Sequence, residues 1–357
     1  MGCGKLYNHE WFAWAVKISP GIHHSDTSHG VRRFLHVEAA MRQDNNHFGE
    51  FRFYRFGLKT GIANVLRNGL GLGVKKTIGK ITQPINSYSR FPEYALMEQA
   101  ISTRLNISSG SKPLKVLDVG SPKCFGLYLA SSMRAELDLT DISPLNVNEY
   151  QMMWEAVRGG AKGTARFGIQ DARSLKYNAN EFDVVYSMSV VEHIEGLSGD
   201  IEGVKEMVRV LKPGGLLLLS VPYGNTHTEQ LRKGFVRAVE KTADENLYYF
   251  QRIYNRSSVE TRIFETLKDF RIRHQWTIWR ETGTALSVFK NLGENLQGLL
   301  GFMNPWLSRM VNRCTDEIVG EVPSSYGEIH SITDIYGDVV IAAEKRPYFN
   351  CLSYSGN

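Results

Sequence analysis

Cysteine is scarce. The 357 residues hold four, at positions 3, 124, 314 and 351, and no two of them form a CxxC pair. So scattered a set gives neither a disulfide framework nor a zinc knuckle, and the default setting is reducing and cytoplasmic. Long apolar runs are also missing. The densest, Leu216 to Val221, has the length of a strand rather than of a membrane span. The first residues lack the charged-then-apolar order of a secretory leader. Met1-Gly2-Cys3 is followed by Leu6, where a myristoylation pattern asks for Ser or Thr. Glycine is short where it would be most telling. VLDVGSPKCFGLYLA, residues 116–130, ends an apolar run in Asp118 and Gly120, then supplies Ser121, Pro122, Lys123 and Cys124 in place of a glycine-rich loop.

What is present is uneven. Residues 1–92 hold 13 Lys and Arg against 5 Asp and Glu, whereas the rest holds 29 against 32. The basic excess is therefore N-terminal, and suits nucleic acid, anionic lipid, an acidic substrate or simply a solvated surface. Six of the ten histidines fall within residues 1–50, among them His23, His24 and His29. No partner spacing supports a metal site, so none is expected. Residues 1–40 contain no element that must pack, which makes Met41 an alternative start. Residues 57–83 read as a weak amphipathic helix, poorly ordered because of its glycines.

From Tyr94 the pattern sharpens. A helix over 93–105 and an SSGS linker precede strands over 115–120, 135–142, 165–172, 182–189 and 216–222. Helices fall between them, the last closed by Pro213-Gly214-Gly215. Strand and helix in alternation imply a parallel, doubly wound sheet. A polar loop to about 245 follows, then a helix over 257–270 and strands at 271–281 and 338–345. Between those strands, apolar residues at helical spacing from Leu286 to Met310, interrupted at Pro305, predict a helical insert.

The order of VLDVG, LTDIS, QDA and FDVVYSMSVVEHI, followed by VRVLKPGGLLLLSVP, resembles class I S-adenosylmethionine-dependent methyltransferases, in particular the type 11 small-molecule group. The likeness covers residues 94–222 and the last strand. It implies an α/β fold with a mostly parallel, seven-stranded Rossmann-like sheet. The expected divisions are a basic extension over 1–92, a core over 93–283, a helical insert over 284–335 and a last strand and tail over 336–357. S-adenosylmethionine is the implied cofactor. Asp118 and the backbone near Gly120 would face its methionine end, Asp141 its ribose hydroxyls, and Asp171 and Ala172 its adenine. Ser121 and Ile142 complete that set, and Ser187 and Met188 would lie beside the methyl group. The loop departs from DxGxGxG at Pro122 and Cys124, which argues against a dinucleotide, whose pyrophosphate needs close backbone approach. It does not argue against S-adenosylmethionine, which has no pyrophosphate.

Methyl transfer needs alignment and exclusion of water, and a hydroxyl acceptor needs a base as well. His193, with Glu192, is the candidate, since histidine titrates near neutrality; bracing of the fold is its alternative role. Tyr223 is placed either at the acceptor or in the core. The expected acceptor is small or lipid-like, methylated on oxygen or carbon. Peripheral membrane contact through 57–83 and 285–311 accompanies that expectation. A nucleic-acid methyltransferase and a non-catalytic scaffold remain the alternatives. SMSV stands where base-modifying relatives carry Asn/Asp-Pro-Pro-aromatic, and no RNA-binding module is legible.

Overall fold

Alternating elements of this kind bury a parallel sheet on both faces, and the computed structural model has that arrangement. It describes residues 50–68, 74–85, 90–107, 112–121, 123–233, 247–280, 308, 312–315 and 337–347. In chain order the elements are α1 (Glu50–Asn68), α2 (Val74–Thr82), a 3₁₀ turn (Gln83–Ile85), α3 (Arg90–Ile107), β1 (Leu114–Val119), α4 (Lys123–Ser132) and β2 (Ala135–Asp141). Then come α5 (Pro144–Val157), β3 (Thr164–Ile169), β4 (Phe182–Met188), a 3₁₀ turn (Val191–His193), α6 (Gly199–Val210) and β5 (Leu211–Tyr223). The remainder is β6 (Thr228–Lys233), β7 (Leu247–Ile253), α7 (Arg256–Arg262), a 3₁₀ turn (Phe264–Leu267), β8 (Phe270–Arg280), β9 (Asn312–Thr315) and β10 (Gly337–Lys345).

The large sheet runs β3-β2-β1-β4-β5-β10-β8-β9. Strands β1 to β5 are mutually parallel, while β10 is antiparallel to both β5 and β8. The seven expected strands are therefore present, and short β9 adds an eighth at the edge. Pairing of Asn312–Thr315 with β8 corrects the helical reading of that stretch, because an edge strand left a row of backbone groups to satisfy. Apart from Ser308, the rest of the insert, including 285–307, lies outside the described residues, as do residues 1–49.

Val184, Val185, Tyr186, Leu217, Leu218 and Leu219 are all at or near zero exposure, as central parallel strands with helices on both faces require. Strand order reverses between β1 and β4, so the crevice that such sheets use for ligands opens at the carboxyl ends of these two strands. Local chemistry fixes the helix starts around it. Ser143 caps α5, its side chain accepting from the Asn146 N–H, and Pro144 follows at the first helical position, where its missing N–H costs nothing.

Residues 57–83 are not one loosely ordered helix but parts of α1 and α2. The glycines that lowered helix propensity are there for packing. A Cβ at Gly61 would stand 2.1 Å from the Ile81 carbonyl oxygen, and one at Gly57 2.6 Å from the Ile85 side chain. Phe53 of α1 is buried against the rings of Tyr94, Phe125 and Tyr128, so this part of the N-terminal segment belongs to the domain. Two further readings are corrected. The polar stretch after Pro222 holds the β6–β7 hairpin, and the helix expected over 257–270 is α7 followed by a separate 3₁₀ turn.

Candidate functional site

At the carboxyl end of β1 the chain turns sharply. Gly120 has φ +74°, a conformation open chiefly to glycine, and a Cβ there would lie 2.6 Å from Val190 Cγ1. Its N–H donates to the Thr140 carbonyl at 2.9 Å. Thr140 in turn donates its hydroxyl to the Asp118 carbonyl at 2.7 Å. The turn is thus tied to β2 on one side and packed under the post-β4 segment on the other.

The predicted cofactor residues fall into two groups. Asp118, Ser121, Ser187 and Met188 are buried and hold the loop together. Asp118 Oδ1 accepts the Ser121 N–H at 2.9 Å and Oδ2 accepts the Tyr186 hydroxyl at 2.8 Å. Ser121 Oγ accepts the Met188 N–H at 2.7 Å, and Ser187 donates its hydroxyl to the Val119 carbonyl at 2.9 Å. Asp118 therefore turns its carboxylate toward Ser121 and Tyr186. Burial pushes the Tyr186 hydroxyl well above its ordinary pKa, helped by the carboxylate it donates to, so this bond keeps its proton.

The second group lies at the surface of the same crevice. Asp141 ends β2 and is half-buried. One carboxylate oxygen accepts the Ser143 N–H at 2.9 Å and the other the Asn146 side-chain amide at 3.3 Å. Ile142 beside it is 51% exposed. Beyond β3, Asp171 binds the Arg173 guanidinium at 2.7 Å. That hydrogen bond, with the backbone N–H of Arg173, holds its carboxyl below the usual range. Ala172, half-buried, packs on the main apolar cluster.

His193 sits in the 3₁₀ turn after β4. Its Nδ1 is 2.7 Å from the Phe250 carbonyl. A carbonyl only accepts, so Nδ1 carries hydrogen and the neutral ring has its lone pair on Nε2, which lies 3.5 Å from Glu192 Oε1. Strand β7 fixes the whole turn. Tyr249 donates to the Glu192 carbonyl at 2.7 Å, and fully buried Arg252 donates to the carbonyls of Ile194 and Gly196. Tyr223 is at zero exposure and belongs to the core cluster.

Sequence reasoning missed a polar network above β4 and β5. Arg90 of α3 donates to Glu93 at 2.7 Å and to the Ser189 hydroxyl. Ser220 donates to Glu93, which is fully buried. Burial alone would lower the Arg90 pKa, but the carboxylates of Glu93, Asp338 and Glu192 outweigh it and raise the value, so the guanidinium stays charged. His227, between β5 and β6, was also passed over; burial lowers its pKa. Cys124 is buried with its thiol toward α1, since a Cβ at Gly57 would be 3.4 Å from Sγ. The residue that replaces a loop glycine thus fills the packing under the N-terminal helices. Among the described residues no group of His, Cys, Asp and Glu has the disposition of a metal site, and no helix is long and apolar enough to cross a membrane.

Residues 117–219 match the model of the family described as "Methyltransferase domain", which bears out the resemblance over the stretch that carries β1 to β5. Among curated proteins, a sterol 24-C-methyltransferase of Neurospora crassa is 34% identical over 126 residues, 33% of this chain and 31% of that protein. A second, from Gibberella zeae, is 28% identical over 213 residues, 55% of this chain and 52% of that protein. The chain thus spans about a third to a half of the length of these curated relatives. A solved SAM-dependent methyltransferase of Methanosarcina mazei aligns at 15% identity with a TM-score of 0.42, over 68% of this chain and 98% of that one.

Proposed function

We propose that the chain is an S-adenosylmethionine-dependent methyltransferase acting on a small or lipid-like acceptor. The observation that carries the reading is the Gly120 turn. Its positive φ turns the chain sharply at the β1–β4 switch point, closely packed under Val190, where an open α/β sheet binds its ligand. A half-buried Asp141 carboxylate at the end of β2 supplies the acceptor chemistry that ribose hydroxyls need. These residues fit the cofactor, and Cys124 does not oppose it, because its thiol is directed toward α1; Pro122 lies outside the described residues.

When bound, S-adenosylmethionine supplies an electrophilic methyl group on a sulfonium. The chain's own residues have the remaining tasks. Asp118 and Ser121 hold the loop rigid from within. Asp141 and Ile142 offer a polar and an apolar contact at the rim, and Asp171 and Ala172 border the neighbouring end of β3. Ser187 and Met188 fix the end of β4. His193 Nε2 is the proton acceptor for a hydroxyl substrate, with Glu192 placed to stabilise the resulting imidazolium. Transfer to carbon is the reading favoured by the curated relatives, which are named as 24-C-methyltransferases of sterols. Their names also support a lipid-like acceptor over a nucleic acid.

Peripheral contact with a membrane is part of the same reading. Helix α1 presents Arg55 and Lys59 beside Leu58, 42%-exposed Ile62 and 70%-exposed Leu66 around a shallow groove of about 420 Å³, a mixture suited to an anionic interface. The test is incubation with methyl-labelled S-adenosylmethionine and total lipid extract, followed by phase separation. Label in the organic phase, absent with Asp141→Ala, supports the proposal; label confined to added RNA or DNA overturns it.

A further inference from the structure

Ser189, the residue that follows β4, has φ +49°. Among the described residues only one other non-glycine, Asn180, has positive φ. Side chains with a Cβ avoid this region, and such a conformation persists only where surroundings over-determine it. Here the surroundings are specific. The Ser189 N–H is shared between the Ser220 carbonyl at 3.0 Å and the Ser220 hydroxyl at 3.2 Å. The Ser189 hydroxyl accepts from Arg90, which is anchored by buried Glu93, and Glu93 also accepts from Ser220. The circuit closes through three elements: α3, β5 and the post-β4 segment.

The conformation has a consequence one residue on. It directs Val190 over Gly120, where the two are in tight contact, and starts the turn in which His193 donates its N–H to the Val190 carbonyl at 2.9 Å. We propose that Arg90, backed by Glu93, is a positioning residue that holds Ser189 left-handed and so sets both the roof over the Gly120 turn and the place of His193. This rests on the methyltransferase reading only for what the positioned groups then do.

Glycine separates this role from a merely structural one. Ser189→Ala keeps the Cβ that disfavours positive φ and removes the hydroxyl that Arg90 grips. Ser189→Gly removes both, and glycine adopts the conformation unaided. Amide hydrogen exchange over residues 189–193 in the full chain reads local opening. The expected result is exchange at least about fivefold faster in Ser189→Ala, with Ser189→Gly near the parent. Arg90→Met leaves Glu93 buried beside a neutral side chain and threatens the fold, so the serine pair carries the test. Where Arg90→Met folds, it weakens S-adenosylhomocysteine binding and Arg90→Met/Ser189→Gly restores it. Exchange equally fast in both serine variants, or unchanged in Ser189→Ala, overturns the proposal. A parent chain that fails to bind S-adenosylhomocysteine would overturn the methyltransferase reading alone, since the exchange comparison needs no ligand.

Discussion

Two residues set the shape of the loop after β1. Gly120 combines φ +74° with a Val190 methyl 2.6 Å from any added Cβ. Gly120→Ala is therefore strained by backbone and by contact, and should cost about 1–3 kcal/mol, read as a lowered urea midpoint. A cost near zero would contradict the assigned conformation. Cys124 explains why this loop tolerates so little glycine. Burial pushes its thiol up to about 12, leaving almost no thiolate at pH 8. Peptide mapping after maleimide treatment at pH 8 should find Cys124 unmodified in the native protein and modified in urea. Asp118, a candidate for the site, and Cys124, which stands in place of a loop glycine, both turn inward. Side-chain direction here depends on what packs behind it: Tyr186 of β4 for Asp118, and Gly57 of α1 for Cys124.

At the scale of elements, the sheet was legible and its accessories less so. Strands β1, β2, β4 and β5 carry apolar runs, with Asp118 and Gly120 closing β1 and Asp141 closing β2, and the helices between strands favour parallel pairing. The β6–β7 hairpin has no such signal: β6 is polar except for exposed Leu231, and its partner is docked through long-range charge. Buried Asp200 of α6 takes hydrogen bonds from Arg262 and Tyr254 and lies 3.9 Å from Arg252. Burial opposes its ionisation, but these partners together hold its pKa below the ordinary 3.8. A depressed carboxyl stabilises above the unfolded-state value, and that contribution is lost as pH falls through the native one. Asp200→Asn should cost about 3–5 kcal/mol at pH 7, and the gap to the parent should shrink on unfolding at pH 3. A gap independent of pH would contradict the pairing. Helices α1 and α2 give the opposite lesson about propensity. Gly61→Ala improves helix propensity by about 1 kcal/mol, yet places Cβ 2.1 Å from the Ile81 carbonyl. The net effect should be destabilising by about 1–2 kcal/mol, measured by thermal unfolding.

For the whole molecule, the order of motifs predicted the sheet and its β1–β4 switch point, because each motif sits where the topology needs it. The acidic and basic partners did not follow from any local pattern. Arg90 reaches Ser189 across 99 residues, and Ser220 reaches Glu93 across 127. Only the folded sheet brings α3 to the ends of β4 and β5. Part of the basic N-terminal excess lies on α1 and α2, which pack on the domain. The central claim, that the β1–β4 crevice binds S-adenosylmethionine, is tested most directly by calorimetric titration of the chain with S-adenosylmethionine and S-adenosylhomocysteine, beside Asp141→Ala. Micromolar binding, weakened about tenfold or more (at least ~1.4 kcal/mol) in the variant, is the predicted result. Absence of heat with both ligands, or equal affinity in the variant, would contradict it.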